Sequence, residues 1–106
     1  MSANRRIDQK TGLPLNRDKT VTLYHATQTF LVPRILAEGI LRPDKESRVY
    51  LTTAKTGTGY GGKNSTTLAV NVDPDILKID DEFPDGRKDF SIETGPKGLA
   101  FKITPL

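Results

Sequence analysis

One histidine stands in the whole chain, His25, in the segment Leu23-Tyr24-His25-Ala26-Thr27. Imidazole is the side chain whose ordinary pKa lies nearest neutrality, so a lone one is the first place to look for proton transfer or a hydrogen bond to a polar ligand. Cysteine is absent, which removes thiolate nucleophiles, disulfides and thiolate metal ligands, and one histidine does not make a zinc or copper site. No metal is expected. Ser65 and Thr66 carry hydroxyls, but their only available base is His25 and no G-x-S-x-G elbow exists, so a hydrolase triad is not expected either. Tyr50, in Arg48-Val49-Tyr50-Leu51-Thr52-Thr53, sets an aromatic ring beside two hydroxyls; alone it reads equally as a core residue. Asp80, Asp81, Glu82 and Asp85 lack the alternating order of a calcium loop and read as a solvated turn.

The glycine-rich run from Gly57 to Lys63 matches G-x-G-x-x-G and nearly matches a phosphate loop. Both motifs need a helix immediately after, because the helix N-terminus cradles the phosphate. Here Ser65-Thr66-Thr67-Leu68 leads into a β-alternating run, and Asn64 stands where the phosphate loop has its magnesium-binding hydroxyl. The better reading is a lid beside a site, with Tyr60 as an aromatic platform.

The elements that must position these residues are short. Residues 1–19 read as a flexible arm that Leu13 and Leu15 pack onto a body spanning 20–106. Val21 to Tyr24 is the first strand, which places His25 at its end. Residues 30–41 hold the helix, with Val32, Ile35, Leu36 and Ile40 on its apolar face, Pro33 in its first turn and Gly39 at its end. Strands follow at Val49–Thr53, Thr66–Val72, Ile76–Ile79, Phe90–Ile92 and Leu99–Ile103, with a loop from Asp80 to Lys88. The sum is an α+β fold, mostly β.

At 106 residues the chain fits one domain, and a hydrophobic share of 35% against 27% charged residues implies extensive surface and loops. No apolar run approaches the roughly 18 residues of a membrane span, and Met1 to Lys10 has no apolar stretch of the kind a secretory signal carries. These features weigh toward a cytoplasmic protein. The net charge of +3 mildly favours acidic partners such as phosphates, but the basic residues form no stripe.

The order of these segments resembles the ADP-ribosyltransferase-like superfamily, of the type found in bacterial and phage multidomain proteins. The resemblance lies in Leu-Tyr-His-Ala-Thr (23–27), Ile-Leu-Ala-Glu-Gly-Ile-Leu-Arg-Pro (35–43), Val-Tyr-Leu-Thr-Thr (49–53) and Leu-Ala-Val-Asn-Val-Asp-Pro (68–74). It implies a split, two-sheet, β-rich fold with one short helix and a cleft for NAD, the substrate. His25 would hold a ribose hydroxyl, and the backbone of Ala26 the nicotinamide amide. Tyr50 and Tyr60 would sandwich the ring, with Thr27 and Thr52 as further cofactor contacts. Cleavage of the nicotinamide–ribose bond passes through an oxocarbenium-like state, which calls for a carboxylate. The family places a Glu at the start of a late strand; here Asp89 holds that position, and Glu93 lies an even offset further on. Ala26 stands where the family commonly has Gly. The implied activity is transfer of ADP-ribose to a protein, nucleic acid or small molecule. Two alternatives stay open: an RNA 2′-phosphotransferase using Arg34, Arg42 and Arg48, and a catalytically degenerate module that binds nucleotide or protein.

Overall fold

A computed structural model describes residues 6–43, 45–54 and 64–105. Strand β1 (Val21–Gln28) runs through a 3-10 turn (Thr29–Leu31) into helix α1 (Val32–Glu38). Next come β2 (Ile40–Leu41), β3 (Arg48–Thr52) and β4 (Ser65–Val72). After a 3-10 turn at Pro74–Ile76 follow β5 (Lys78–Glu82), β6 (Lys88–Glu93), β7 (Leu99–Ala100) and β8 (Lys102–Pro105). The result is a small α+β domain in which every paired strand is antiparallel.

Six strands form one sheet in the order β5-β6-β3-β1-β4-β8, and β2 and β7 form a separate ribbon. Where the resemblance implies a split between two sheets, the main strands form one six-stranded sheet, made of two three-stranded halves, β5-β6-β3 and β1-β4-β8. A single register pair, Tyr24 with Thr52, joins them. By contrast β1 and β4 are paired over eight positions, from Val21↔Val72 to Gln28↔Ser65.

One face of this sheet makes the core. Val21 and Leu23, Val49 and Leu51, Leu68, Val70 and Val72, and Phe90 and Ile92 alternate inward and are buried. That is the period-two pattern of half-buried strands. Ile35 of α1 joins the cluster, and Leu13 and Leu15 pack against it as their sequence position suggests. Residues 6–19 lie against the body. Lys10 Nζ donates to the carbonyls of Pro74 (2.9 Å) and Leu77 (3.1 Å), and Thr11 is buried.

Four expectations need correcting. The first strand continues past Tyr24 to Gln28, so His25 sits inside it; the partner that extends it, β4, lies some forty positions away in the chain. The segment Asp80–Glu82 is strand, because β6 supplies the pairing that its acidic composition does not advertise. Leu99–Ile103 divides at Phe101, whose N–H donates to Gly39 carbonyl (2.9 Å), so that β7 pairs with β2 and β8 with β4. The helix is shorter than residues 30–41: it spans seven residues and buries Ile35 alone, so Leu36 is exposed and Ile40 lies beyond it in β2, paired with Ala100.

Two glycines are required. Gly39 ends α1 at φ 68°, and its N–H donates to Ile35 carbonyl (2.8 Å). Gly98 has φ +80°, and a Cβ there would collide with Leu41 carbonyl oxygen, so only glycine permits the β2–β7 ribbon. Among the described residues no helix is long and apolar enough to cross a membrane.

A candidate site at the seam between two half-sheets

The joining point of the half-sheets is where the candidate residues meet. Thr53 N–H donates to Lys88 carbonyl in β6 (3.0 Å), so backbone alternation turns the peptide groups of Thr52 and Tyr50 the other way, toward β1. Had the ladder continued beyond Tyr24↔Thr52, Ala26 would pair with Tyr50 and His25 would oppose Leu51. Instead the strands part. His25 Nδ1 takes the Tyr50 carbonyl at 2.8 Å, so a side chain replaces the backbone partner.

That bond sets the histidine's chemistry. A carbonyl oxygen can only accept, so Nδ1 carries the proton and the neutral ring presents the Nε2 lone pair as an acceptor. Burial holds the His25 pKa below its ordinary value; the Tyr50 carbonyl pulls the other way and is the weaker influence. The ring is therefore neutral at pH 7. It is suited to accept a hydrogen bond from a hydroxyl and unsuited to act as a standing cation.

The parted strands leave a cavity of about 310 Å³, lined by Tyr24, His25, Ala26, Tyr50, Leu51 and Thr52. This lies at the lower end of the roughly 300–1,000 Å³ typical of small-molecule sites, and its wall is mainly apolar. Tyr24 and Ala26 share a face of β1, as Tyr50 and Thr52 share a face of β3, so two phenol rings and one small methyl border the opening. The N–H and C=O of Ala26 face it too, because alternation turns them toward the missing partner. Tyr50 is 42% exposed, which removes the reading of it as a core aromatic.

His25, Ala26, Tyr50 and Thr52 are thus brought together. Thr27 is not in this cavity; it is buried on the core face and lines a second one under α1, again with His25. Tyr60 and the rest of the Gly57–Lys63 loop lie outside the described residues.

The carboxylates stand further off. Asp89, Ser91 and Glu93 share one face of β6, the even-offset relation holding, and pair with Thr52, Tyr50 and Arg48 respectively. Neither Asp89 nor Glu93 lines the cavity. Asp89 is 7% exposed, one strand away from the cavity residue Thr52, and Arg87 Nε lies 3.5 Å from its Oδ1. Arg87 in turn covers the ring of Phe83, at 3.8 Å from the centroid. The Glu93 side chain is largely exposed and sits 3.8 Å from Arg48.

Motif reasoning missed two of the cavity residues, Leu51 and, more telling for the chemistry, Tyr24. Its signal was available: in a strand containing His25 and Ala26, period two puts Tyr24 and Ala26 on one face. No family model, curated protein or solved structure matches the chain.

Proposed function

We propose that the chain is an NAD-dependent ADP-ribosyltransferase whose nicotinamide site is the seam between the half-sheets. The carrying observation is the neutral His25 fixed by the Tyr50 carbonyl, with its free acceptor beside an apolar cavity bordered by two tyrosines and an open peptide edge. The chemistry of nicotinamide riboside matches that arrangement group by group. A flat ring stacks on Tyr50 or Tyr24, for about 0.5–1.5 kcal/mol per pair. Its carboxamide, both donor and acceptor, complements the N–H and C=O of Ala26. A ribose hydroxyl donates to His25 Nε2. The motif order of segments 23–27, 35–43 and 49–53 supports the same reading.

Bond cleavage leaves the electron pair of the nicotinamide–ribose bond on the departing neutral ring and positive charge on the ribose. Asp89 is the nearer carboxylate by register, and its ion pair with Arg87 weakens the field it would exert on that charge. This pairing favours one second reading: a module that binds the nucleotide and cleaves it slowly or not at all.

The test is release of nicotinamide from NAD by the purified chain. His25→Ala and Tyr50→Ala should each lower release by at least a hundredfold, with unchanged circular dichroism. Asp89→Asn should lower release and leave the NAD dissociation constant within a few-fold. Absence of release together with absence of any NAD-induced rise in melting temperature would refute both readings; a rise without release selects the binding module.

A further inference from the structure

The sheet face that carries Tyr24 and Ala26 continues away from the seam. Thr22, two residues before Tyr24 on β1, pairs with Asn71 on β4, which pairs with Lys102 on β8. Backbone alternation puts all three on the face of Tyr24 and Ala26, opposite the core face of Val21 and Leu23. Two more cavities follow this row. One, of about 210 Å³, is walled by Tyr24 and Thr22 from β1 and by Leu13, Pro14 and Asn16 from the arm. The other, of about 300 Å³, is walled by Asn16, Arg17, Asn71 and Lys102, with Asp18 beside them. Tyr24 is common to the seam cavity and the first of these, and Asn16 to the first and the second. The three cavities therefore adjoin in series along one face.

Their polar groups are set by a short chain of hydrogen bonds. Asn16 Nδ2 donates to Thr20 Oγ1 (3.2 Å) and to Thr22 Oγ1 (3.1 Å), and Thr22 Oγ1 donates to Asn71 Oδ1 (3.0 Å). The chain runs one way, which fixes what each amide has left to offer. Asn16 has used both N–H groups and presents an acceptor, Oδ1; Asn71 presents a donor, Nδ2. The backbone holds Asn16 as well, since its N–H donates to Thr20 carbonyl (2.7 Å) and its carbonyl accepts from Lys19 N–H (2.9 Å). Among the described residues no salt bridge engages Arg17 or Lys102. The Asp18 carboxylate is occupied by Thr20, whose N–H (3.1 Å) and hydroxyl (2.5 Å) both donate to it. Two cations against one carboxylate leave a local charge of +1.

We infer that these two cavities bind a nucleotide, and that this nucleotide is the acceptor of ADP-ribose. The inference rests on the NAD reading and names the substrate class of that same site. A flat base packs on Tyr24, with Leu13 and Pro14 as the apolar remainder of the wall. Its edge, which mixes donors and acceptors, meets Asn16 Oδ1 and the Thr22 hydroxyl. The phosphate falls to Arg17, Lys102 and Asn71 Nδ2. An uncharged sugar would leave both cations unused, and a protein side chain lacks the combination of ring and phosphate. The base is the end nearest the seam, with one tyrosine shared between it and the nicotinamide cavity. In the transfer, the bond from ribose C1′ to nicotinamide breaks and its electron pair leaves with nicotinamide. A lone pair on a nitrogen of the base forms the new bond to C1′, and the proton of that nitrogen passes to solvent water.

The probes are the four nucleoside 5′-monophosphates, titrated singly at low salt into the whole chain and followed by NMR. At least one should shift the Tyr24 ring, the Asn71 Nδ2 and the Arg17 Nε–H signals, and added salt should weaken it. The variant R17Q/K102Q changes two exposed residues and should bind that nucleotide at least tenfold more weakly. The matching nucleoside, which lacks the phosphate, should bind parent and variant alike. With NAD present, mass spectrometry should find the nucleotide heavier by one ADP-ribose. R17Q/K102Q should lower that yield at least tenfold and leave nicotinamide release without acceptor unchanged. A single-stranded tetranucleotide that binds at least tenfold tighter assigns the site to a nucleic-acid strand; equal affinity assigns it to the free nucleotide. Nucleotide shifts that are absent, or equal in parent and R17Q/K102Q, overturn the inference. Displacement of the nucleotide by NAD overturns it too, because the groove would then hold part of NAD itself. Nicotinamide release without ADP-ribose on any nucleotide overturns the acceptor role and leaves the NAD reading standing. Nucleotide shifts without nicotinamide release or any NAD-induced rise in melting temperature refute the NAD reading and the acceptor role together, and leave a nucleotide-binding groove.

Discussion

Strand β1 has two neighbours and treats them differently. Against β4 it pairs along its whole length, and the side chains so aligned, Leu23 and Val70 or Val21 and Val72, are fully buried. Against β3 it pairs at one position and then opens. The same eight residues therefore serve as a stabilising ladder on one side and as a cavity wall on the other. The difference teaches where each kind of residue is needed. The closed side wants β-branched and aliphatic side chains that fill space. The open side needs a group able to satisfy a carbonyl that has lost its backbone partner, and His25 does so.

That contrast can be broken most severely on the closed side. Leu68→Ala removes a fully buried side chain opposite His25, and should cost about 2–5 kcal/mol in chemical denaturation, since a cavity is left behind. A loss below about 1 kcal/mol would mean that the β1–β4 ladder is not the stabilising one. On the open side, His25→Ala removes one hydrogen bond at the edge of a solvent-accessible cavity. It should cost only about 1 kcal/mol. In hydrogen exchange it should speed the amides around the Tyr24↔Thr52 junction and leave those of the Val70–Val72 region protected.

The seam also sharpens through pH. His25 is held neutral in the folded chain, with its pKa below the ordinary value, while the unfolded chain protonates near that value. Between the two the unfolded state binds more protons. Stability is thus complete above the ordinary histidine pKa and falls as pH drops through it toward the folded value. The difference in denaturation midpoint between parent and His25→Asn should shrink as pH falls from 7 to 5; a constant or growing difference would contradict the neutral ring. The smallest effect belongs to α1. Arg34→Gln removes an exposed i,i+4 pair and should change stability by no more than about 0.5 kcal/mol.

Much of this arrangement was legible in local pattern. The alternation Leu68, Val70, Val72 against Thr67, Ala69, Asn71 placed β4 and its buried face, because a strand with one wet side leaves a period-two record. Gly39 marked the end of α1, because few residues besides glycine adopt its positive φ. The docking of Leu13 and Leu15 was readable from two apolar residues in a polar arm. The acidic strand β5 was not legible, since an edge strand that is exposed throughout carries no hydrophobic period and owes its conformation to β6. The split of Leu99–Ile103 was hidden for a similar reason: the bend at Phe101 depends on a carbonyl sixty residues earlier.

For the site, composition alone singled out His25, while Tyr50, Ala26 and Thr52 entered as its companions only through the family resemblance carried by segments 23–27 and 49–53. A unique side chain is a local property that composition displays; residue type and strand period by themselves left Tyr50 as readily a core aromatic. Only the tertiary structure decided that the histidine is neutral, which nitrogen carries its proton, that Tyr24 shares the cavity, and that Asp89 lies beside Arg87. Each of those depends on how far β1 and β3 stay together before they part. A ladder is made of pairings between distant residues, and no local pattern records where it stops.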